Sequence, residues 1–424
     1  MRFKGLGNSV VTITLLLCAS ASFSGAQTVN WPTFHNNPAL TGFNRRETKV
    51  NVGNVGNLRL AWQGVMGDLV DYSSPAIVNG VAYIGSIDGK LYAFNAKGCG
   101  SSLCNALWSG QGKTGGGIFS SPAVSNGMVY IGSNTAELLV FNAAGCGTSF
   151  CSPVWTGTLG GGILESSPVV VDGVVYVGSY DNKLYAFDSA GCGSSTCVPL
   201  WTGATANHIT GSPAVVNGVV YIGSNDNKLY AFDAAGCGSS TCTPLWTGAT
   251  RGAKFGSAAV ANGVVFVGSF DKNLYAFTAA SCGSATCTPL WKGTGSGFII
   301  GSPAVANGMV FVPGDTIMTA YKAAGCGQSS CKPLWEGMAV GSQAAMVSSP
   351  AVANGVVYVG ENNGQVLAFN AKGCGTNFLC LPLFAGMTTE EPIVSSSPAM
   401  VNGTLYVGSG NQFDPNSGRL YVFQ

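Results

Sequence analysis

A Ser-Pro-Ala or Ser-Pro-Val tripeptide returns through this chain at a nearly fixed interval, and that interval constrains the fold more than any other feature. The prolines are Pro75, Pro122, Pro168, Pro213, Pro303, Pro350 and Pro398, with Ala258 in the fifth place, at steps of 47, 46, 45, 45, 45, 47 and 48 residues. A period of this size sustained over eight copies describes one closed repeat domain rather than two or three unrelated ones.

The fourth copy, Ser212 to Trp246, shows what one unit is. Ala214-Val215-Val216 starts a strand, Asn217-Gly218 is the strongest short hairpin signal, and Val219 to Gly223 returns as a second strand. Ser224 to Lys228 turns again, Leu229 to Asp233 alternates as a third strand, and Thr243 to Thr247 is a fourth. Asn-Gly recurs at Asn79, Asn126, Asn262, Asn307, Asn354 and Asn402, with Asp172-Gly173 in the third copy. Proline cannot donate to a ladder and belongs at strand starts and sheet edges. The Ser-Pro prolines accordingly start the first strand, and Pro153, Pro199, Pro244, Pro289, Pro333 and Pro382 fall in the fourth. The expected fold is all-β, an eight-bladed β-propeller of four-stranded antiparallel blades. The eighth copy stops at Gln424 after its third strand, while Leu58 to Trp62 has the fourth-strand pattern and no partner. This N-terminal strand is therefore expected to complete the last blade and close the ring.

The 62 glycines and 9% charged residues suit a turn-dense β protein, and no apolar run in the mature part approaches a spanning helix. Arg2 and Lys4 precede an apolar run from Val10 to Leu17, and Ser24-Gly25-Ala26 supplies small residues for cleavage, which predicts a signal peptide over 1–26. Residues 27–57 are then a lead-in and 58–424 the propeller, exported to the periplasm or the cell exterior. Cys18 offers a lipoprotein alternative, against which Leu17 stands where a small residue is expected. Without Arg2 and Lys4, 17 Lys and Arg face 18 Asp and Glu, which gives no electrostatic footprint for nucleic acid or an anionic membrane.

Fourteen mature cysteines fall in seven local pairs: Cys99 and Cys104, Cys146 and Cys151, Cys192 and Cys197, Cys237 and Cys242, Cys282 and Cys287, Cys326 and Cys331, Cys374 and Cys380. Each pair lies between third and fourth strands. An even count in an exported chain predicts disulfides, whereas structural zinc needs four ligands together and separate blades keep these pairs apart.

The segment LYAFDAAGCGSSTCTPLW resembles the repeat of the pyrroloquinoline quinone (PQQ) propeller family, whose docking motif reads Ala-x-Asp-x-x-Thr-Gly-Lys-x-x-Trp. Ala231, Asp233 and Trp246 match it, as do Ala186, Asp188 and Trp201, while the Cys-clipped loop replaces Thr-Gly-Lys. Asn95 and Asn142 replace the aspartate in other copies, and WPTFHNNPALTGFN from Trp31, followed by LRLAW, looks like the family's lead-in. The resemblance implies that the recurrent tryptophans Trp108, Trp155, Trp201, Trp246, Trp291 and Trp335, with Phe384 in the seventh copy, pack between blades. It implies two kinds of function. Some members are periplasmic dehydrogenases carrying PQQ and calcium, and others, such as the outer-membrane assembly factor BamB, are quinone-free scaffolds.

In a meander the Asn-Gly turns and the cysteine turns share one face, where the copies agree. On the other face they diverge, and a binding site is expected there. The residue three before each Ser-Pro proline should ring the channel mouth: Tyr72, Phe119, Glu165, Thr210, Phe255, Ile300, Val347 and Ser395. Asp71, His208, Arg251, Lys254, Met346, Glu390 and Glu391 stand nearby, with Asp315, Glu361, Asn362 and Asp414 on neighbouring turns. Phe119, Phe255 and Phe298 read equally as channel plugs or as a ligand floor. Asp71, Glu165 and Glu361 could ligate calcium or act as a base, and Arg251 or Lys254 could meet a carboxylate of PQQ. Three departures weigh against the quinone: no loop tryptophan is left as a platform, no two cysteines are adjacent, and no Cys-x-x-Cys-His haem site occurs. Asp88, Asp181, Asp226 and Asp271 in Gly-Ser-x-Asp turns read as turn formers, and His35 and His208 as structural or exposed. The sequence thus favours a non-catalytic scaffold that binds a protein or small-molecule partner on the variable face, with no cofactor. The alternative is a PQQ- and calcium-dependent alcohol dehydrogenase.

Overall fold

The computed structural model describes Met1 and residues 29–424, apart from 113–115, 253–255, 296, 339–343, 389–394, 412–413 and 415. The signal-peptide segment therefore lies outside the described residues.

Eight small sheets form the eight blades of a β-propeller. Blade four is Ala214–Val216, Val219–Ser224, Lys228–Asp233 and Trp246–Ala249, consecutive and antiparallel. Its first turn has Asn217 at φ 51° and Gly218 at φ 75°, the two positive values that a tight hairpin matched to strand twist requires. The outer strand begins at Trp246 rather than Thr243, so the prolines lie just ahead of the outer strands and not within them. Blade eight contains both ends of the described chain: Leu60–Val65 runs antiparallel to Arg419–Phe423 beside Thr404–Ser409 and Ala399–Val401.

Blades have five strands, not the four expected; in blade seven the fifth is Phe43–Asn44 of the lead-in, parallel to Val352–Ala353 at the inner edge, and in the other seven it is an outer clip. All seven cysteine pairs are disulfides, with Cα–Cα distances of 5.5 to 5.8 Å. Each holds a two-residue strand that reaches back to the preceding blade and pairs in parallel with its outer strand. Thr286–Cys287 of blade five, for example, lies on Thr247–Gly248 of blade four. The physical reason is the exposed edge: an outer strand presents unpaired backbone groups, and the neighbour's clip covers them. The disulfide also closes a small loop, worth about 2 kcal/mol by chain entropy.

Between blades the tryptophan is enclosed. Trp108 packs against Tyr83 of its own blade at 6.1 Å and Phe141 of the next at 6.2 Å between ring centroids. Gly145 at φ 81° lies against the indole, where a Cβ would stand 2.7 Å from the ring. Tyr83 then donates its hydroxyl to the carbonyl of Ala143 at 2.8 Å, tying the same pair of blades.

The lead-in threads the channel at the Asn-Gly end. The N–H groups of Ile77, Val124, Val215, Val260, Val305 and Val352, one on each of six inner strands, donate to the carbonyls of Trp31, Pro32, Pro38, Ala39, Thr41 and Gly42 at 2.7 to 2.8 Å. Asn44 adds a bond to Met400 of blade eight. One unrepeated segment thus covers the inner edges that eight repeated strands leave open.

Candidate functional site

At the opposite end of the channel the copies bond to each other directly. Each serine before the proline donates its N–H to the hydroxyl of the next blade's serine, in the order Ser74, Ser121, Ser167, Ser212, Ser257, Ser302, Ser349, Ser397 and back to Ser74, at 2.7 to 3.0 Å. These serines are buried, and their spacing fixes where the residues ahead of them stand. Tyr72, Glu165, Thr210, Ile300, Val347 and Ser395 line one cavity of about 50 Å³ above the cycle.

The plug is Phe34 of the lead-in, which lines the same cavity and stacks on His35 at 4.5 Å. Phe119 lies half-buried against Gly117, outside the lining of this cavity. Phe298 is half exposed, with its ring 5.8 Å from Phe270 and 5.3 Å from the ammonium of Lys272. Nothing in the repeat signalled Phe34, because the lead-in has no second copy to compare with.

Among the described residues, the candidates Asp71, Phe119, His208, Arg251, Met346 and Glu361 are not in the lining that Tyr72 and Glu165 share. Met346 is 1% exposed and belongs to a hydrophobic cluster, its N–H bonded to the carbonyl of Asp315 at 2.5 Å. Glu361 is buried in its turn, with its N–H on the carbonyl of Gln365. His208 stacks on Tyr180 at 4.3 Å and its Nδ1 bonds the Tyr180 carbonyl. Arg251 is exposed beside the Tyr275 phenol, and Asp71 is half-buried. Lys254, Phe255 and Glu390 lie outside the described residues.

The Gly-Ser-x-Asp aspartates are turn formers. Asp88 and Asp271 accept the N–H of Lys90 and Asn273 through one oxygen, and the other takes the hydroxyl of Tyr92 or Tyr275 at 2.5 Å. The counterpart of that tyrosine in blade three, Tyr185, has its phenol pushed up to about 12, first by burial and then by its bond to Asp181.

The wider depression lies on the other face, where the copies agree and no site was expected. Asn30, Asn36, Asn37, Asn44, Arg45 and Arg46 of the lead-in, with Asn262 and Asn307 of the turns, line about 670 Å³ of open space. Much of this amide chemistry braces the lead-in itself, Asn36 donating to the Phe43 carbonyl and Asn37 to the Thr41 hydroxyl. His35 is fully buried beneath, with Nδ1 on the Leu40 carbonyl at 3.1 Å and Nε2 unpartnered. Burial brings its pKa down to about 4, so the ring is neutral at pH 7.

A family model described as the outer membrane protein assembly factor BamB matches residues 104–236, 194–285 and 239–422. The chain belongs to this family of PQQ-like propellers. The solved structures it resembles include BamB from Moraxella catarrhalis, at 15% identity and TM-score 0.61, over 87% of this chain and 97% of that one. A computationally designed protein, Ika8, matches at 13% identity and TM-score 0.63, over 85% and 98% of the two chains. Quinohemoprotein alcohol dehydrogenase from Comamonas testosteroni matches at 14% identity and TM-score 0.67, over 94% and 81%. No curated protein matches the sequence. These likenesses are likenesses of fold.

At this end the described residues enclose little space. A cavity of about 50 Å³ is far below the ~300 Å³ at which ligand pockets begin. Among the described residues no three His, Cys, Asp or Glu side chains converge as a cation's ligands would. Trp31 is 2% exposed and bonded through its backbone to Ile77, which removes the last tryptophan that could serve as a platform.

Proposed function

We propose that this propeller is an exported, non-catalytic binding module that holds a protein partner on the divergent loops around Tyr72 and Glu165. The observation that carries the reading is the contrast at that end of the channel. A serine cycle common to all eight blades positions a rim whose residues differ from blade to blade, over a cavity of about 50 Å³. A rim of that kind offers contact area rather than a pocket. The disulfides support an oxidising compartment, periplasmic or extracellular.

The test is capture of envelope proteins on the immobilised chain, compared with Glu165→Lys and Tyr72→Ala. Loss of one and the same partner in both variants, with retention in Arg46→Ala on the opposite face, is the expected result. Loss only in Arg46→Ala moves the site to the lead-in face. The dehydrogenase reading is checked by incubation with PQQ and calcium, followed by dye reduction with alcohols. Turnover with saturable thermal stabilisation would replace the present proposal.

A further inference from the structure

The clip series has a gap. In seven outer strands the residue after the aromatic donates its N–H to a carbonyl of the next blade's clip, as Thr156 does to Ser195 at 2.9 Å and Glu336 to Phe378 at 2.8 Å. The counterpart in blade seven is Ala385, whose N–H has no such bond among the described residues. The cause is topological. A clip is carried on the connection between third and fourth strands, and in blade eight the fourth strand, Leu60–Val65, precedes the third, Arg419–Phe423, by the whole ring, so no such short connection joins them. Blade seven ends at Phe384–Met387 with no clip strand beyond it, flanked on one side by the short 3-10 turn Val55–Asn57.

The surroundings of that edge are mixed, with apolar side chains beside Gly56 and the exposed Arg59. Met387 is 50% exposed, Leu383 39% and Leu60 36%, and with Phe384, Gly386 and Phe423 they line an open depression of about 420 Å³. Ala385 is exposed, whereas none of its seven counterparts is. An uncovered edge of this kind is a template for strand addition.

We infer that the outer edge of blade seven is a docking site for an extended segment of another protein, added as an outermost, sixth strand parallel to Phe384–Met387. The seven clips define its chemistry. The segment sets a carbonyl on the Ala385 N–H, turns one residue to solvent and lays the next, small and uncharged, over Gly386, as each clip lays a half-cystine 2 to 4% exposed over the equivalent glycine. A second copy of this chain has no spare clip to offer, since each of its clips already lies on its own ring. The site is separate from the Tyr72 and Glu165 rim, and stands or falls independently of it.

The probe is a synthetic peptide copying residues 193–200, with alanine in place of Cys197 and blocked ends, added to the full chain. Hydrogen exchange is read at single amides. In the free protein the Ala385 amide is expected to exchange at least ~100-fold faster than those of Thr156 and Thr247, and to slow saturably as peptide is added. Ala385→Pro removes the donor on the side away from the ladder and should abolish binding, while Thr247→Pro on a clipped blade should leave it unchanged. Met387→Lys, which keeps the backbone intact, should weaken binding about tenfold and guards against a folding defect in the proline variant. The proposal is overturned if Ala385 is as protected as Thr247 without peptide, if that protection appears only on dimerisation, or if no saturable slowing occurs up to millimolar peptide. It is also overturned if both blade-seven variants bind normally.

Discussion

At the Asn-Gly end of the channel an unrepeated lead-in bonds to the inner strands one blade after another, whereas at the other end the blades bond to each other through serines and leave a small cavity under Phe34. The first arrangement joins blades through a strap. The second joins them through their own repeat. Symmetry alone can therefore complete one end, and the other needs a segment outside the repeat, because eight converging strand edges leave N–H groups that no neighbouring blade reaches.

The difference breaks most sharply if the strap is removed. A chain lacking residues 29–50 loses at least seven backbone bonds to inner strands and the Phe34 and Trp31 packing. At ~1 kcal/mol net per bond, the loss should exceed about 5 kcal/mol or prevent folding. An unchanged urea midpoint would show that the blades hold their inner edges without help.

His35 sharpens the same contrast through pH. Its pKa is held at about 4 in the fold against 6.5 when unfolded, so the unfolded chain takes up the proton first as pH falls. The contribution of the neutral ring is fully present above pH 6.5 and is lost progressively down to about pH 4, some 3 kcal/mol in all. His35→Gln should flatten that part of the stability profile measured by denaturant titration between pH 7 and 4. A profile of unchanged slope would mean that the strap does not exclude water from the ring.

Clip removal comes next in size. Cys237→Ser with Cys242→Ser frees the strand that covers blade three and should cost about 2 kcal/mol, read as a shifted guanidinium midpoint. Amide exchange should quicken at Thr202, whose N–H now rests on the clip carbonyl of Ser240, and not at Ala385. Equal quickening at both would argue that clips stabilise the ring as a whole rather than one seam each.

The repeat period, the Asn-Gly turns and the cysteine spacing carried the fold, because local chemistry dictates them: positive φ at Asn217 and Gly218, a short loop between Cys237 and Cys242, an aromatic at Trp246. The ring of residues three before each proline was legible for the same reason, since Ser212 and its counterparts fix that position through the backbone. What stayed hidden depends on contacts between distant segments. The fifth strand pairs Cys287 with Gly248 of another blade, and Phe34 shares a cavity with Glu165, with no periodicity to announce either. His208 and Met346 were misplaced because adjacency to the rim in sequence does not give direction: one stacks outward on Tyr180, the other is buried.

The smallest effects separate frame from rim. Ser212→Ala deletes the hydroxyl that accepts the buried Ser167 N–H at 2.9 Å, leaving an unsatisfied donor, and should cost about 1 to 2 kcal/mol. Glu165→Ala, two residues before that donor but at the cavity wall, should stay within about 0.5 kcal/mol of the parent in the same urea titration while altering partner capture. If instead Glu165→Ala destabilises as much as Ser212→Ala, the rim is part of the frame, and the divergence of its residues reflects eight local packing solutions rather than a surface shaped for a partner.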